Sequence, residues 1–236
     1  MNDPRWTPMS TSGHPSPSPE LRRRVLETVR REPAPTHAQV AARRLAIGVA
    51  GFLPALALVA TFAHQGDYRP VGYVVFVACT WASLAMVATW LALRTGRSML
   101  GMSRRWLVAA SLTVPVALAA LAGAATALWP QTNVVDSDAR AHAQCFVLTT
   151  LAALGPVLAF AWLRRESDPV HPRWTGALIG AASGACGATA VALLCEHTYP
   201  VHILIGHVLP VILVTLVGAA FAARVVAVGG GRRAAS

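Results

Sequence analysis

WTGALIGAASGACGATAVALLC, residues 174–195, holds 22 residues without one Asp, Glu, Lys or Arg. About 20 apolar residues of helix cross a hydrocarbon core of about 30 Å. The stretch is long enough to span a bilayer, and its composition says how it would pack. Gly176, Gly180 and Gly184 recur every four residues, so a helix places them on one face. That small-xxx-small pattern lets helix backbones approach closely inside a membrane.

Five further runs resemble it in length and apolarity. Together the six are 45–63, 71–93, 106–129, 142–163, 174–195 and 201–223. Over the whole chain 55% of residues are apolar and 13% charged, whereas a soluble domain carries about 25% charged residues. A spanning segment must satisfy its own backbone hydrogen bonds. The alternation of a membrane strand is absent from these runs. The expectation is an all-α integral membrane protein with six transmembrane helices and short loops.

All 20 basic residues are arginine, and they lie mostly at the ends of the apolar runs. The segments on the N-terminal side of the membrane are 1–44, 94–105, 164–173 and 224–236. They hold 8, 4, 3 and 3 arginines, 18 in all, whereas the opposite loops hold only Arg69 and Arg140. The positive-inside rule then places both termini in the cytoplasm. The basic balance is read as topology, and no direct nucleic-acid partner is expected. Arg43 and Arg44 in ARRLAIG, 42–48, are the inside anchor of the first span rather than an export signal, because the preceding 44 residues are too long for an n-region.

Four regions follow: a disordered Pro/Ser-rich tail (1–17), a cytoplasmic amphipathic segment (18–44), the membrane domain (45–223) and a cytoplasmic tail (224–236). The amphipathic segment begins with helix-start signals. Ser18 suits a cap, Pro19 the first helical position and Glu20 the first turn. Pro33 and Pro35 stop the helix. Leu21, Val25, Leu26 and Val29 share about 140° of its circumference, while Arg23, Arg24, Glu27 and Arg31 point away. So short a helix is marginal alone in water. It needs a surface, either the lipid bilayer or the groove of a protein partner.

The membrane domain has four cysteines. Cys145 near the start of the fourth run and Cys195 at the end of the fifth would stand at similar depth beside the oxidising compartment. A disulfide between them requires their Cα atoms to come within about 7 Å. Cys79 and Cys186 lie mid-membrane and read as packing residues. His142, His197, His202 and His207 gather at the same face as Cys145 and Cys195. Thiolate with imidazole is a set that copper or zinc accepts, so a metal ion stays open as an alternative, and otherwise no cofactor is expected. No nucleophile–base triad, nucleotide loop or HExxH is present, and the chain is not read as an enzyme. The runner-up readings are a membrane thiol oxidoreductase and a small transporter or metal-handling protein.

The stretch from Cys145 through Pro156 to WLRRESDPVHPRWTGALIGAASGACGATAVALLCEHTYPVHILIGHVLPV resembles the NrsF-type membrane anti-sigma factors. The shared features are Cys145, Pro156, Leu163–Arg165, the Gly/Ala-rich fifth run, Cys195 and His207. The resemblance implies an inner-membrane protein that sequesters an extracytoplasmic-function sigma factor and releases it on stress. It also implies that Cys145 and Cys195 take part in sensing the signal. His142 and His207, near them by position, are read as candidate members of the sensing site, and 18–44 is read as the sigma-factor bait, binding through its stripe of Leu21, Val25, Leu26 and Val29.

Overall fold

The computed structural model describes residues 18–31, 36–62, 69–94, 102–130 and 139–227. The expected tail 1–17 and residues 228–236 of the expected C-terminal tail lie outside the described residues. The chain divides between Arg43 and Arg44 into two compact units, described separately here.

The first unit contains α1, Pro19–Arg31. Its start follows from Ser18, whose Oγ accepts the Leu21 N–H at 3.2 Å. Glu20 and Arg24 pair at 2.7 Å on the exposed surface, which adds only tenths of a kcal/mol. Leu21, Val25 and Leu26 are each more than half exposed. Val29 falls in the helix, but its side chain lies outside the described residues. Thr36 caps the next helix, α2 (His37–Phe62), by exchanging hydrogen bonds with Gln39.

The second unit holds the rest of α2 and five long helices. These are α3 (Val71–Leu93), α4 (Arg104–Leu128), α5 (Ala139–Leu163), α6 (Pro172–Ala192) and α7 (Pro200–Val226), all long and apolar enough to cross a membrane. Among the described residues the chain is helical, with an isolated bridge between Asp168 and Ala227 and no strand. The first predicted run coincides with α2 over 45–62, a helix already formed at His37 rather than at 45, and its residue 63 lies outside the described residues. Likewise α4 begins at Arg104 rather than 106 and α5 at Ala139 rather than 142. Apolar runs mark only the stretch suited to lipid, while backbone hydrogen bonding continues into polar residues on either side. In the opposite sense, α6 ends at Ala192, three residues short of the predicted 195. There the Arg69 guanidinium donates to the carbonyls of Ala192, at 2.9 Å, and Leu193, satisfying groups that a helix end leaves open.

The centre of the unit is α6. Of its most apolar window 89% is buried, against 28–44% for the other four spans. The other helices bury one stripe each: Tyr73, Val77, Trp81, Ala85, Ala88 and Ala92 on α3, and Leu107, Ser111, Val114, Leu118, Ala122 and Ala125 on α4. These recur at three- and four-residue steps, as an inward stripe must. Large apolar side chains point outward instead, among them Met86, Trp90, Leu112, Val116, Leu158, Leu216 and Phe221. Alanine and glycine line much of the interior beside larger side chains such as Trp81 and Phe160, and among acyl chains as apolar as leucine such close packing supplies the association energy.

Gly176, Gly180 and Gly184 all face α7. A Cβ on Gly176 would strike the Gly218 carbonyl oxygen, and one on Gly180 the Val214 carbonyl oxygen. On Gly184 it would lie 2.9 Å from Val211 Cα. Gly187 serves α5 instead, where a Cβ would sit 2.6 Å from the Thr149 carbonyl oxygen. α7 itself is not a uniform α-helix. It opens into π turns at Leu204–Val208 and Gly218–Ala222.

Candidate functional site

The first π turn decides the geometry of one end of the bundle. His202 and His207 are five residues apart, which an α-helix at 100° per residue sets about 140° away from each other. An i→i+5 turn is wider and brings positions five apart nearly into register. Their ring centroids are 5.6 Å apart, and both rings are essentially fully buried. Gly206 lies between them in sequence and lets α5 come close: a Cβ there would lie 2.9 Å from Cys145 Cβ. Thr149 on α5 locks the contact by donating to the Gly206 carbonyl at 3.1 Å.

Cys145 on α5 and Cys195 after α6 are thereby brought together, their Sγ atoms 3.5 Å apart. Cys195 Sγ also lies 3.1 Å from His202 Nε2 and 3.6 Å from the His197 carbonyl oxygen. One potential ligand atom from each of Cys145, Cys195, His202 and His207 lies within 4.8 Å of every other. A cavity of about 730 Å³ adjoins the pair and is lined by both cysteines together with Arg140, Gln144, Glu196 and His197.

His142 is buried near the cluster, its ring 5.1 Å from that of His202, but it is His202 that contributes a ligand atom with the two thiols and His207. His202 packs against His142, His197, Tyr199 and His207. His202 stands in the opening α-helical turn of α7, and the π turn that follows sets the His207 ring beside it. Cys186 stands apart, buried on α6 and 3.7 Å from Thr89 Oγ1 of α3, and Cys79 is exposed.

At the opposite end lies a second polar centre that the sequence reading passed over. Asp168, in the loop between α5 and α6, accepts the N–H groups of Val170 at 3.0 Å and His171 at 2.8 Å, and the Thr175 hydroxyl. Its own N–H donates to the Val226 carbonyl at 3.2 Å, as that of Glu166 does to Val225 at 3.0 Å. Glu166 takes φ 52°, in the left-handed region. Arg164 reaches across to the Arg94 carbonyl at 2.6 Å. One loop thus ties the ends of α3, α5, α6 and α7. Burial pushes the Asp168 carboxyl up. The hydrogen bonds from Thr175, His171 and Val170, with the Arg164 charge, outweigh burial and hold it below the usual carboxylate range. A Pro in a short loop suggested only a turn, and nothing in SDPVHP advertised that its acid would be buried.

Against this geometry, the family described as "Negative regulator of sigma F" (NrsF) matches residues 28–227. The chain belongs to the NrsF family. The match includes the whole Cys/His cluster and the Asp168 loop of this NrsF-family chain, and begins after Leu21, Val25 and Leu26 of α1. No curated protein and no solved structure matches it.

Proposed function

We propose that this chain is a membrane-embedded anti-sigma factor. It holds an extracytoplasmic-function sigma factor at the bacterial inner membrane and releases it on a redox or metal signal read at Cys145 and Cys195. The observation that carries the reading is a pair of thiols from two helices, 3.5 Å apart, in a chain whose family is described as a negative regulator of a sigma factor. Six spans, counting 45–63 within α2, put both termini in the cytoplasm by the 18-to-2 arginine distribution. The thiol end then faces outward and the Asp168 end inward.

The segment 18–44 is the bait. Its helix α1 displays Leu21, Val25 and Leu26 to its surroundings, and a groove on the sigma factor is the partner that rewards an apolar stripe. Because that stripe precedes the family match, its role rests on the chemistry of the helix. Fully burying one such side chain stabilises a complex by about 1.5–3 kcal/mol. Val25→Asp removes that term and buries an unpaired charge. It should switch on sigma-dependent transcription in unstressed cells, whereas Arg24→Glu on the opposite face should change little. Reporter assays with immunoblots for protein level decide the matter. Silent genes with Val25→Asp at normal abundance would place the bait elsewhere. A larger effect from Arg24→Glu would make α1 a lipid-binding helix.

A further inference from the structure

We propose that Cys145, Cys195, His202 and His207 form a four-ligand site for a divalent d10 cation of the zinc class. The inference rests on reading the two thiols as the input of the regulator and names the ligand they take. Three observations support it. The first is the donor set. Two thiolates and two imidazoles are what tetrahedral Zn²⁺ accepts, at about 2.3 Å to sulfur and about 2.0–2.1 Å to nitrogen. Those bond lengths put tetrahedral ligand atoms about 3.4–3.8 Å from one another. The 3.5 Å between the sulfurs and 3.1 Å from Cys195 Sγ to His202 Nε2 lie close to that, and all four atoms fit within 4.8 Å. Shortening the widest separation by about 1 Å completes the site.

The second is the construction of the backbone around it. The donors come from α5 (Cys145), the segment after α6 (Cys195), the opening α-helical turn of α7 (His202) and the π turn that follows it (His207). A π turn is rare and weakens regular helix hydrogen bonding, and such turns recur at functional sites. Here its effect is to bring His207 beside His202, toward the same pair of sulfurs. Close packing alone does not need that. Each imidazole is also left with a buried Nδ1 that has no hydrogen-bond partner, at a cost that an apolar residue of similar size avoids.

The third is charge. Two thiolates and two neutral imidazoles around a dication sum to zero, which suits a buried cluster, whereas a monovalent ion leaves a net negative charge there. The neighbouring Arg69 does not upset this balance, because its guanidinium is engaged by the Ala192 and Leu193 carbonyls at the negative end of α6. The cavity lined by Cys145 and Cys195 provides the approach. On binding, the two S–H protons leave to solvent and two Zn–S bonds form, with no change of oxidation state.

The test uses the full chain, purified in detergent under reducing conditions and titrated with Zn²⁺ and with Co²⁺ as a spectroscopic substitute. One equivalent should bind, the cobalt form should show thiolate charge-transfer bands with tetrahedral d–d intensity, and Zn²⁺ should protect both thiols from alkylation. Cys145→Ser, Cys195→Ser, His202→Gln and His207→Gln should each abolish one-equivalent tight binding, and the two cysteine variants should also lose thiolate charge-transfer intensity. His142→Gln and Cys186→Ser should leave the spectrum unchanged, and helical circular dichroism checks that each variant is folded. Absence of binding, an octahedral cobalt spectrum, or indifference to both His202→Gln and His207→Gln overturns the site. A sigma-dependent reporter, run in parallel with the same variants, judges the regulator separately. A metal-binding chain with a silent reporter sinks the regulatory reading and keeps the site, and a responsive reporter without metal binding does the reverse.

Discussion

Cys145 and Cys195 sit 3.5 Å apart, so neither thiol has a function of the proposed kind without the other. Removing either destroys a bridge or a shared ligand set, and the second removal then has nothing left to change. Cys145→Ser, Cys195→Ser and the double substitution should therefore give one and the same sigma-dependent response, while Cys186→Ser stays close to the parent. Contacting residues deviate from additivity by about 0.5–3 kcal/mol, and a reporter with graded inducer resolves that difference. Additive single effects would separate the two thiols. Residue types alone made these two cysteines conspicuous, because the start of the fourth apolar run and the end of the fifth fall on the same side of the membrane. His202 was visible as one histidine of four, but its place among the ligands was not. Its position relative to His207 depends on how many residues fill one turn of backbone, and no side chain between Leu204 and Val208 announces a π turn.

The helices were legible because each is an apolar run that approaches or exceeds the about 20 residues a bilayer needs, with arginine or proline at one or both ends. Their ends were less so, since hydrophobicity stops where lipid would stop and hydrogen bonding does not. The glycine spacing on α6 reported a close helix neighbour without saying which one; packing shows that α7 is that neighbour. Gly180→Val tests the contact. Its Cβ would enter the Val214 carbonyl, with Thr215 Cα 2.8 Å away, so backbone has to move. Overpacking costs about 1–3 kcal/mol, more where backbone is the obstacle. Thermal unfolding in detergent should fall clearly for Gly180→Val and hardly at all for Gly123→Ala, which meets nothing within 4 Å. Equal melting temperatures would mean that α6 and α7 are not so closely packed.

Across the whole molecule the two polar centres stand at opposite ends of α6, a helix of 21 residues and so about 32 Å long at 1.5 Å per residue. The Asp168 loop is what fastens the far end. Since the folded state holds the Asp168 carboxyl below its ordinary range, its contribution is complete above the unfolded value of about 3.9 and is lost as pH falls through the lower folded value. Stability should thus be insensitive to this group near neutrality. Asp168→Asn should lower it by about 1–3 kcal/mol, the cost of weakened hydrogen bonds to a buried acceptor, with the gap to the parent closing in strong acid. A pH series of melting curves measures both. For orientation, reporter fusions at Ser98 and Ser236 should read cytoplasmic and one at Ser137 periplasmic. A periplasmic reading at Ser236 would rule out an even number of spans with the N-terminus inside.

The bareness of α6 also sets how this protein meets random mutation. Every missense change in a glycine codon adds at least a Cβ. At Gly176, Gly180, Gly184 and Gly187 that atom has backbone within 3.0 Å. On the outward faces of α3 and α5, exchange of one apolar side chain for another meets only the surroundings of the bundle. A genetic screen for loss of control should therefore collect, beside hits in the segment proposed to hold the sigma factor, a dense cluster at codons 176 to 187, far from that segment in the gene.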